Sequence, residues 1–400
     1  MGGVDPSVNG VMLRAVRVIG LMSGTSADGV DAALVEWPDG PSALPFRLVA
    51  YREEPLEAQL QDRIHGLAAG RLPAEQVLRE LAALDVLLGE RFADAAAAVA
   101  REAGVPLASV DAIASHGQTV AHHPELGATL QIGDPSRIAE RTGVDTVADF
   151  RPRDLAAGGE GAPLAPFFHW AVLADPRESR VVLNLGGIAN VTWLPRGADA
   201  EAVIAFDVGP ANALIDAVVR AHSGGRERID RGGERARRGR VDPALLARLL
   251  DDDFLRRPPP KSTGRERYGL AQGEALALAW SRGGRAADDL IATLVAFTAE
   301  AVARACRDFL GVPQRMLVAG GGAENPALLA ALAAAQPSVA VERVDAFGVP
   351  AAAVEAMAFS LMGRNALLGI PNHLPRCTGA GRAAVLGEIA RGRPELKTRS

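Results

Sequence analysis

Two short stretches of this chain share one layout: an apolar β-rich run, a turn of small residues, and a second β-rich run. The first is Ala15–Leu21, the turn Ser23-Gly24-Thr25-Ser26-Ala27-Asp28-Gly29, and Val30–Trp37. The second is Val181–Leu185, the turn Gly186-Gly187-Ile188-Ala189-Asn190, and Val191–Trp193. Each reads as a β-hairpin, and the Asp28-Gly29 pair supports the first because glycine takes positive φ at little steric cost. A hairpin at the head of each half points to two related lobes, although the identity between the halves is too low to establish a repeat from sequence.

The segments around the hairpins alternate between strand and helix, which predicts an α/β protein. Pro73–Ala103 reads as a long helix with Leu78, Leu81, Leu84, Asp85, Leu88, Phe92 and Ala95 along one face. Val110–Ser115 reads as a strand entering a loop, His116-Gly117-Gln118-Thr119, followed by strands at Thr129–Ile132 and Val144–Asp149 around a short helix, Ser136–Thr142. The second half holds a strand at Val203–Asp207, a Gly209-Pro210 turn and a helix over Asn212–Ala221. A helix over Asp288–Leu310 and a strand at Arg315–Val318 follow, the latter running into Gly320-Gly321-Gly322 and a helix from Pro326. The late helix Val354–Leu368 is expected to return to the first half. The expected organisation is a loose leader at 1–14, with Met12 as an alternative start, lobes at 15–175 and 176–345, and a C-terminal portion at 346–400.

Composition excludes several classes. Over 400 residues, 48% are hydrophobic and the net charge is −5, unlike a disordered chain or a generic nucleic-acid binder. The most basic run, Arg226–Arg240, reads as a surface helix. Two isolated cysteines, Cys306 and Cys377, support neither a disulfide framework nor a zinc site and favour a reducing compartment. His116, His122 and His123 fit no common zinc spacing and read as structural or surface residues. Val11–Met22 is too short and too charged to span a membrane and lacks a cleavage site, so a cytoplasmic location is expected. Only Lys261 and Lys397 are lysines, all other cationic residues being arginine, so a lysine that remains is there by chance or because a compact ammonium is wanted; Lys261 is expected near a cleft between the lobes.

Neither a P-loop nor a Rossmann fingerprint is present. The Gly-rich turns at strand ends remain, and such turns offer main-chain N–H groups to an anion. Asp207 closes an apolar strand and is placed to act as a general base, whereas the local sequence alone favours a helix N-cap.

Taken in order, these features resemble the sugar kinase/actin/heat-shock-70 superfamily, and within it the anhydro-N-acetylmuramic acid kinases. The segments that carry the resemblance are Gly20–Asp31, Ser115–Thr119, Leu130–Pro135, Ala148–Arg151 continuing to Gly161-Ala162-Pro163-Leu164, Asn184–Asn190, Phe206–Pro210 and Lys261–Glu266. The resemblance runs from about residue 16 to residue 390. It departs from the family pattern at Ala27, Val208 and Ala211.

The resemblance implies a two-lobed sugar kinase/actin-like (ribonuclease H-like) fold with a central ATP cleft. It implies a cell-wall recycling kinase that takes 1,6-anhydro-N-acetylmuramic acid, ATP and water to N-acetylmuramic acid 6-phosphate and ADP. Asp207 is then the catalytic base. Gly24, Thr25, Ser26, Ala27, Asp28, Gly29, Val30 and Asp31 would bind the ATP phosphates together with Gly186, Gly187, Asn190 and Gly209. Gly320, Gly321 and Gly322 would lie near the adenosine, and Asp28 or Asp31 near Mg²⁺, most directly Asp28 through water. Arg151 or Arg153 would hold the lactyl carboxylate of the sugar, and Gln118 and Glu355 its hydroxyl and acetamide groups. A homodimer is implied, with no nucleic-acid or membrane partner. A kinase of the same fold for another sugar, or a non-catalytic ATP-binding module, are the alternatives.

Overall fold

The computed structural model describes residues 15–197, 199–264 and 266–393; the expected leader, Arg265 and Lys397 lie outside the described residues. The chain forms two compact units, one containing the residues up to Ala162 and those from Glu355 onward, the other Pro163–Val354. The lobe boundary therefore falls at Ala162/Pro163 and not at 175, because the helix Ala165–Leu173 is tied into the second unit, where His169 Nδ1 lies 2.9 Å from Thr192 Oγ1.

The first unit begins with β1 (Val16–Ser23), β2 (Gly29–Trp37) and β3 (Arg47–Pro55), an antiparallel meander. β4 (Ala112–His123) then runs parallel to β1, β5 (Ala128–Ile132) pairs back on β4, and β6 (Thr146–Ala148) lies parallel to β4. Parallel neighbours need a crossover, and the helices Ala58–Ala68 and Ala74–Glu102 provide it between β3 and β4. The long helix buries Leu84, Leu88, Phe92 and Ala95 in the unit's core with Ile19, Leu21, Leu34 and Ile113, as its pattern predicted. Leu78 departs from that face and is 76% exposed, since the first turns of the helix extend past the core.

The second unit repeats the order. β7 (Arg180–Leu185), β8 (Ile188–Leu194) and β9 (Ile204–Pro210) form an antiparallel meander, and β10 (Arg315–Ala319) and β11 (Ala340–Arg343) add in parallel beyond β7. The two sheets thus read β3-β2-β1-β4-β6 and β9-β8-β7-β10-β11, with the same sense at every step. This is the ribonuclease H-like topology twice over, and it shows as shared architecture the relation that residue identity could not. The helix Ala287–Ala305 contributes Leu290, Leu294, Phe297 and Val302 to the core of the second unit, between the inner residues of β7, β8 and β10.

The chain returns to the first unit through the helix Val354–Leu368, and β12 (Glu388–Ala390) closes its sheet against β6. Two glycines permit the helix to approach. A Cβ on Gly20 would meet Ala356 O at 1.9 Å, and one on Gly363 would meet Ala114 Cβ at 2.4 Å. Ser360 secures the contact by donating to Val18 O and accepting from Trp37 Nε1, both at 2.9 Å.

Three local expectations change. His116–Thr119 is not a loop but the middle of β4, where Gly117 takes φ +75 and the pairing with β1 shifts register after Leu21. Ile188–Asn190 belong to β8, so the second turn is only Gly186-Gly187. Gly209-Pro210 ends β9 and is not a turn, because Ile188 pairs with Pro210.

Candidate active site

In the first unit the turn between β1 and β2 is closed by Ala27 N–H donating to Gly24 O (3.1 Å). Ala27 is fully buried with φ +51, a conformation that larger side chains adopt only under strain, so the small residue suits the turn. Gln118 braces the turn from beneath: its amide oxygen accepts from Ser23 Oγ (2.7 Å) and its Nε2 donates to Gly24 O (3.1 Å). Gln118 is buried, so its amide serves the turn where a contact with the sugar was expected. Asp28 is exposed and accepts from Ser26 Oγ (2.7 Å). Asp31 opens onto Glu53 across β3 and accepts from Tyr51 Oη (2.5 Å); burial pushes its carboxyl up to about 6, with Glu53, Glu355 and Asp28 adding to the rise against the Tyr51 bond.

A second cluster of this unit surrounds Arg151. Its Nε donates to His116 Nε2 (2.8 Å) and its Nη1 to Gly161 O (2.7 Å). His116 accepts at Nε2, so its proton sits on Nδ1 and points to Gly117 O (2.8 Å). Burial, then the Arg151 charge, lowers the His116 pKa to about 3, which keeps the ring neutral and an acceptor. Behind Arg151, Asp154 Oδ2 accepts from Gly161 N (2.8 Å), while its Oδ1 accepts from Thr378 Oγ1 (2.7 Å) and lies 2.6 Å from His373 Nδ1. Glu355 is open to solvent; surrounding protein raises its pKa, and the Arg151 charge opposes the rise. Arg153, two residues on and toward the other side of the same helix, is exposed.

In the second unit the register aligns Asn184, Asn190 and Asp207 across β7, β8 and β9, a polar row on one face of the sheet. Asp207 Oδ2 accepts from Thr263 N (2.9 Å), and Asp207 N donates to Lys261 O (3.1 Å). Its carboxyl lies above the usual range because burial outweighs the Thr263 bond, with Glu266 adding to the rise and Lys261 opposing it. Asp207 does not cap the following helix. Three strand residues intervene, Ala211 is the N-cap, and the Ala211, Asn212 and Ala213 N–H groups donate to the carbonyls of Gly187 and Gly186. The start of that helix therefore fastens the turn and is not left open to an anion.

The Gly320–Gly322 turn follows β10. Gly320 takes φ +77, and a Cβ there would meet Asn184 Oδ1 at 2.4 Å; a Cβ on Gly322 would meet Leu185 Cβ at 2.5 Å. Gly321 has open space around it. Lys261 is buried: Nζ donates to Phe254 O (3.1 Å) and Leu255 O (3.3 Å) and lies over the rings of Phe206, Phe254 and Phe309 at 5.6, 4.8 and 4.9 Å.

Within the first unit the structure gathers Gly24–Asp31 with Gln118, and Arg151 with Glu355. Within the second it gathers Gly186, Gly187, Asn190, Asp207 and Gly209 with Gly320–Gly322. Sequence reasoning missed Asn184, Thr263 and the part His116 plays in holding Arg151. An Asn in the otherwise apolar run Val181–Leu185 was the available signal for the first. No group of three or more His, Cys, Asp or Glu side chains suited to a metal occurs among the described residues, and His122 and His123 turn to Thr129 and Glu125.

A doubled ribonuclease H-like sheet with glycine turns at its strand ends is the architecture of the actin-like class, and because one fold serves many functions the activity is read from relatives: they make this an ATP-dependent sugar kinase. The family model for "Anhydro-N-acetylmuramic acid kinase" matches residues 16–392. Relatives bearing that name include one from Xanthomonas campestris pv. campestris strain 8004, 47% identical over 375 residues, covering 93% of this chain and 96% of the relative. Another, from Streptomyces coelicolor, is 45% identical over 385 residues, covering 96% of this chain and 95% of the relative. The chain belongs to the anhydro-N-acetylmuramic acid kinase family. Among the described residues no helix is long and apolar enough to cross a membrane.

Proposed function

We propose that this kinase opens the 1,6-anhydro bridge of 1,6-anhydro-N-acetylmuramic acid with water and transfers the γ-phosphoryl group of ATP to O6, with Asp207 as the base. The supporting observation is the carboxylate itself. One of its oxygens accepts the Thr263 N–H, its main chain is held by Lys261 O, and burial raises its proton affinity toward that of a working base. Asp207 takes a proton from water as the water oxygen bonds to the anomeric carbon. The C1–O6 bond breaks, and O6 becomes the nucleophile toward phosphorus.

Asn190, paired with Asp207, and Asn184 one strand beyond it would present neutral amides to the phosphoryl group or to water. The Gly24–Asp31 turn, with Gly186, Gly187, Gly209 and Gly320–Gly322, would bind the nucleotide. Mg²⁺ bound with the nucleotide offsets phosphate charge; the exposed Asp28 carboxylate fits a metal that keeps most of its waters. Arg151, held at Nε and Nη1 by chain partners, is oriented to meet the lactyl carboxylate, with Glu355 near the sugar's amide and hydroxyls. Arg153 is the weaker candidate because nothing in the structure orients it. A cytoplasmic homodimer acting in cell-wall recycling completes the reading.

The test is ADP release with the anhydro-sugar, Mg²⁺ and ATP, run beside N-acetylmuramic acid, N-acetylglucosamine and glucose. Turnover confined to the anhydro-sugar and abolished in Asp207→Asn is the expected result. Turnover of an ordinary sugar overturns the substrate, and retained activity in Asp207→Asn overturns the base.

A further inference from the structure

All but two of the 43 cationic residues of this chain are arginine, and one of the two lysines is buried behind Asp207. Its surroundings explain the choice. The ammonium donates to two carbonyls and faces three phenylalanine rings between 4.8 and 5.6 Å away. A guanidinium is planar and wider and cannot enter the same box without displacing a ring. Three prolines, Pro258–Pro260, precede Lys261, and only Ser262 separates it from Thr263. The same three-residue segment holds Asp207 twice, through Lys261 O to its N–H and through Thr263 N–H to its carboxylate.

We propose that Lys261 is a positioning residue for Asp207: its ammonium, boxed by Phe206, Phe254 and Phe309, pins the segment that grips the base by main chain and carboxylate together. Lys261 also supplies a nearby cation that favours the ionised carboxylate, against the burial and the Glu266 charge that oppose it. The charges that face Lys261 are Arg304, Arg257, Asp207 and Asp252. Phe206 lies in β9 one residue before the base, so one wall of the box and the base share a strand. The site thus joins two functions in one residue, a mechanical anchor and an electrostatic bias.

This inference rests on the reading of Asp207 as the base, and the experiment separates the two. Lys261→Met, Lys261→Arg and Asp207→Asn are assayed for ADP release across pH. In Lys261→Met, kcat is expected to fall about 10- to 100-fold, the scale of a base displaced by about 1 Å, with KM for sugar and ATP unchanged. Removing the cation raises the proton affinity of Asp207, so the acid limb of kcat moves to higher pH. Lys261→Arg restores the cation and returns the limb toward its original pH, but leaves kcat low because the fork does not fit the box. Wild-type kcat in both variants overturns the proposal. So does a loss carried by KM, or a lowered kcat with an unmoved acid limb. Should Lys261→Met fail to fold, Phe309→Leu loosens one wall of the box while keeping the ammonium, and is expected to lower kcat in smaller measure with KM and the acid limb unchanged; a wild-type kcat there overturns the proposal. A silent Asp207→Asn beside a normal Lys261→Met overturns this inference alone, whereas an active Asp207→Asn overturns the base reading beneath it.

Discussion

Arg151 acts through neighbours that lie far apart in sequence. His116, 35 residues away, gives its Nε2 as an acceptor, and Gly161 gives a carbonyl that Asp154 steadies through the main chain. Replacing Arg151 with Lys removes the fork that meets these two partners and, on the proposed reading, the lactyl carboxylate of the sugar. The expected outcome is a rise in KM for the anhydro-muramyl sugar of roughly 10- to 100-fold, as expected for losing a charge-assisted bidentate pair, with KM for ATP unchanged, read by steady-state kinetics. Buried histidines also set a pH dependence. Burial lowers His116 to about 3 and His169 to about 4, whereas the unfolded chain protonates them near the ordinary value of about 6.5. Between these limits the unfolded state holds more protons, so stability rises with pH through the window and is lost as pH falls. Asp31, pushed up to about 6, works in the opposite sense over part of the range, as do the raised carboxyls of Asp149, Asp207 and Glu355, so the histidine contribution is read by comparing variants. Urea midpoints are expected to decline from pH 7 to pH 4, less steeply in His169→Asn; equal slopes in the two proteins contradict the assignment. The motifs around His116 and Arg151 were legible in sequence, but their contact was not, since 35 intervening residues must fold before the two side chains meet.

At the scale of the element, hairpins and helices were readable because hydrophobic period and turn chemistry are local. The long helix Ala74–Glu102 and the helix Val354–Leu368 both lie where periodicity placed them. What failed was the length of turns. A Gly, Gly-Pro or His-Gly pair reads as a break, yet Gly117 and Gly209 remain inside strands because cross-strand hydrogen bonds outweigh local preference. The three glycines after β10 likewise look alike in sequence and differ in space. Gly320→Ala drives a Cβ into Asn184 at a positive φ and is expected to destabilise the protein by about 1–3 kcal/mol. Gly321→Ala points into open space and is expected to leave the thermal midpoint nearly unchanged while weakening ATP binding. Thermal unfolding with nucleotide titration checks both, and equal midpoints for the two variants would contradict the packing argument.

For the whole molecule, charge and topology matter more than any one side chain. The basic run Arg226–Arg240 is drawn into the fold: Arg235 pairs with Glu227 and Asp288, Arg238 pairs with Asp288, and Asp230 accepts from the Arg235 and Ala236 N–H groups. With these partners and a net charge of −5, no salt-dependent retention on duplex DNA is expected at about 0.15 M salt, measured by electrophoretic shift. The two units are each cored by their own strands and helices, and each has the same five-strand order. Two glycine hairpins and alternating strands and helices were enough to read an α/β fold from the chain, because turn chemistry and hydrophobic period act over a few residues; the family and the candidate base came from the resemblance carried by an ordered set of motifs. Folding alone decided that Gln118 braces a turn, that the Lys261 ammonium is buried against the Phe254 and Leu255 carbonyls, and that Asp154 meets Thr378 and His373 across more than 200 residues. Those contacts depend on burial and strand register, which no local pattern carries.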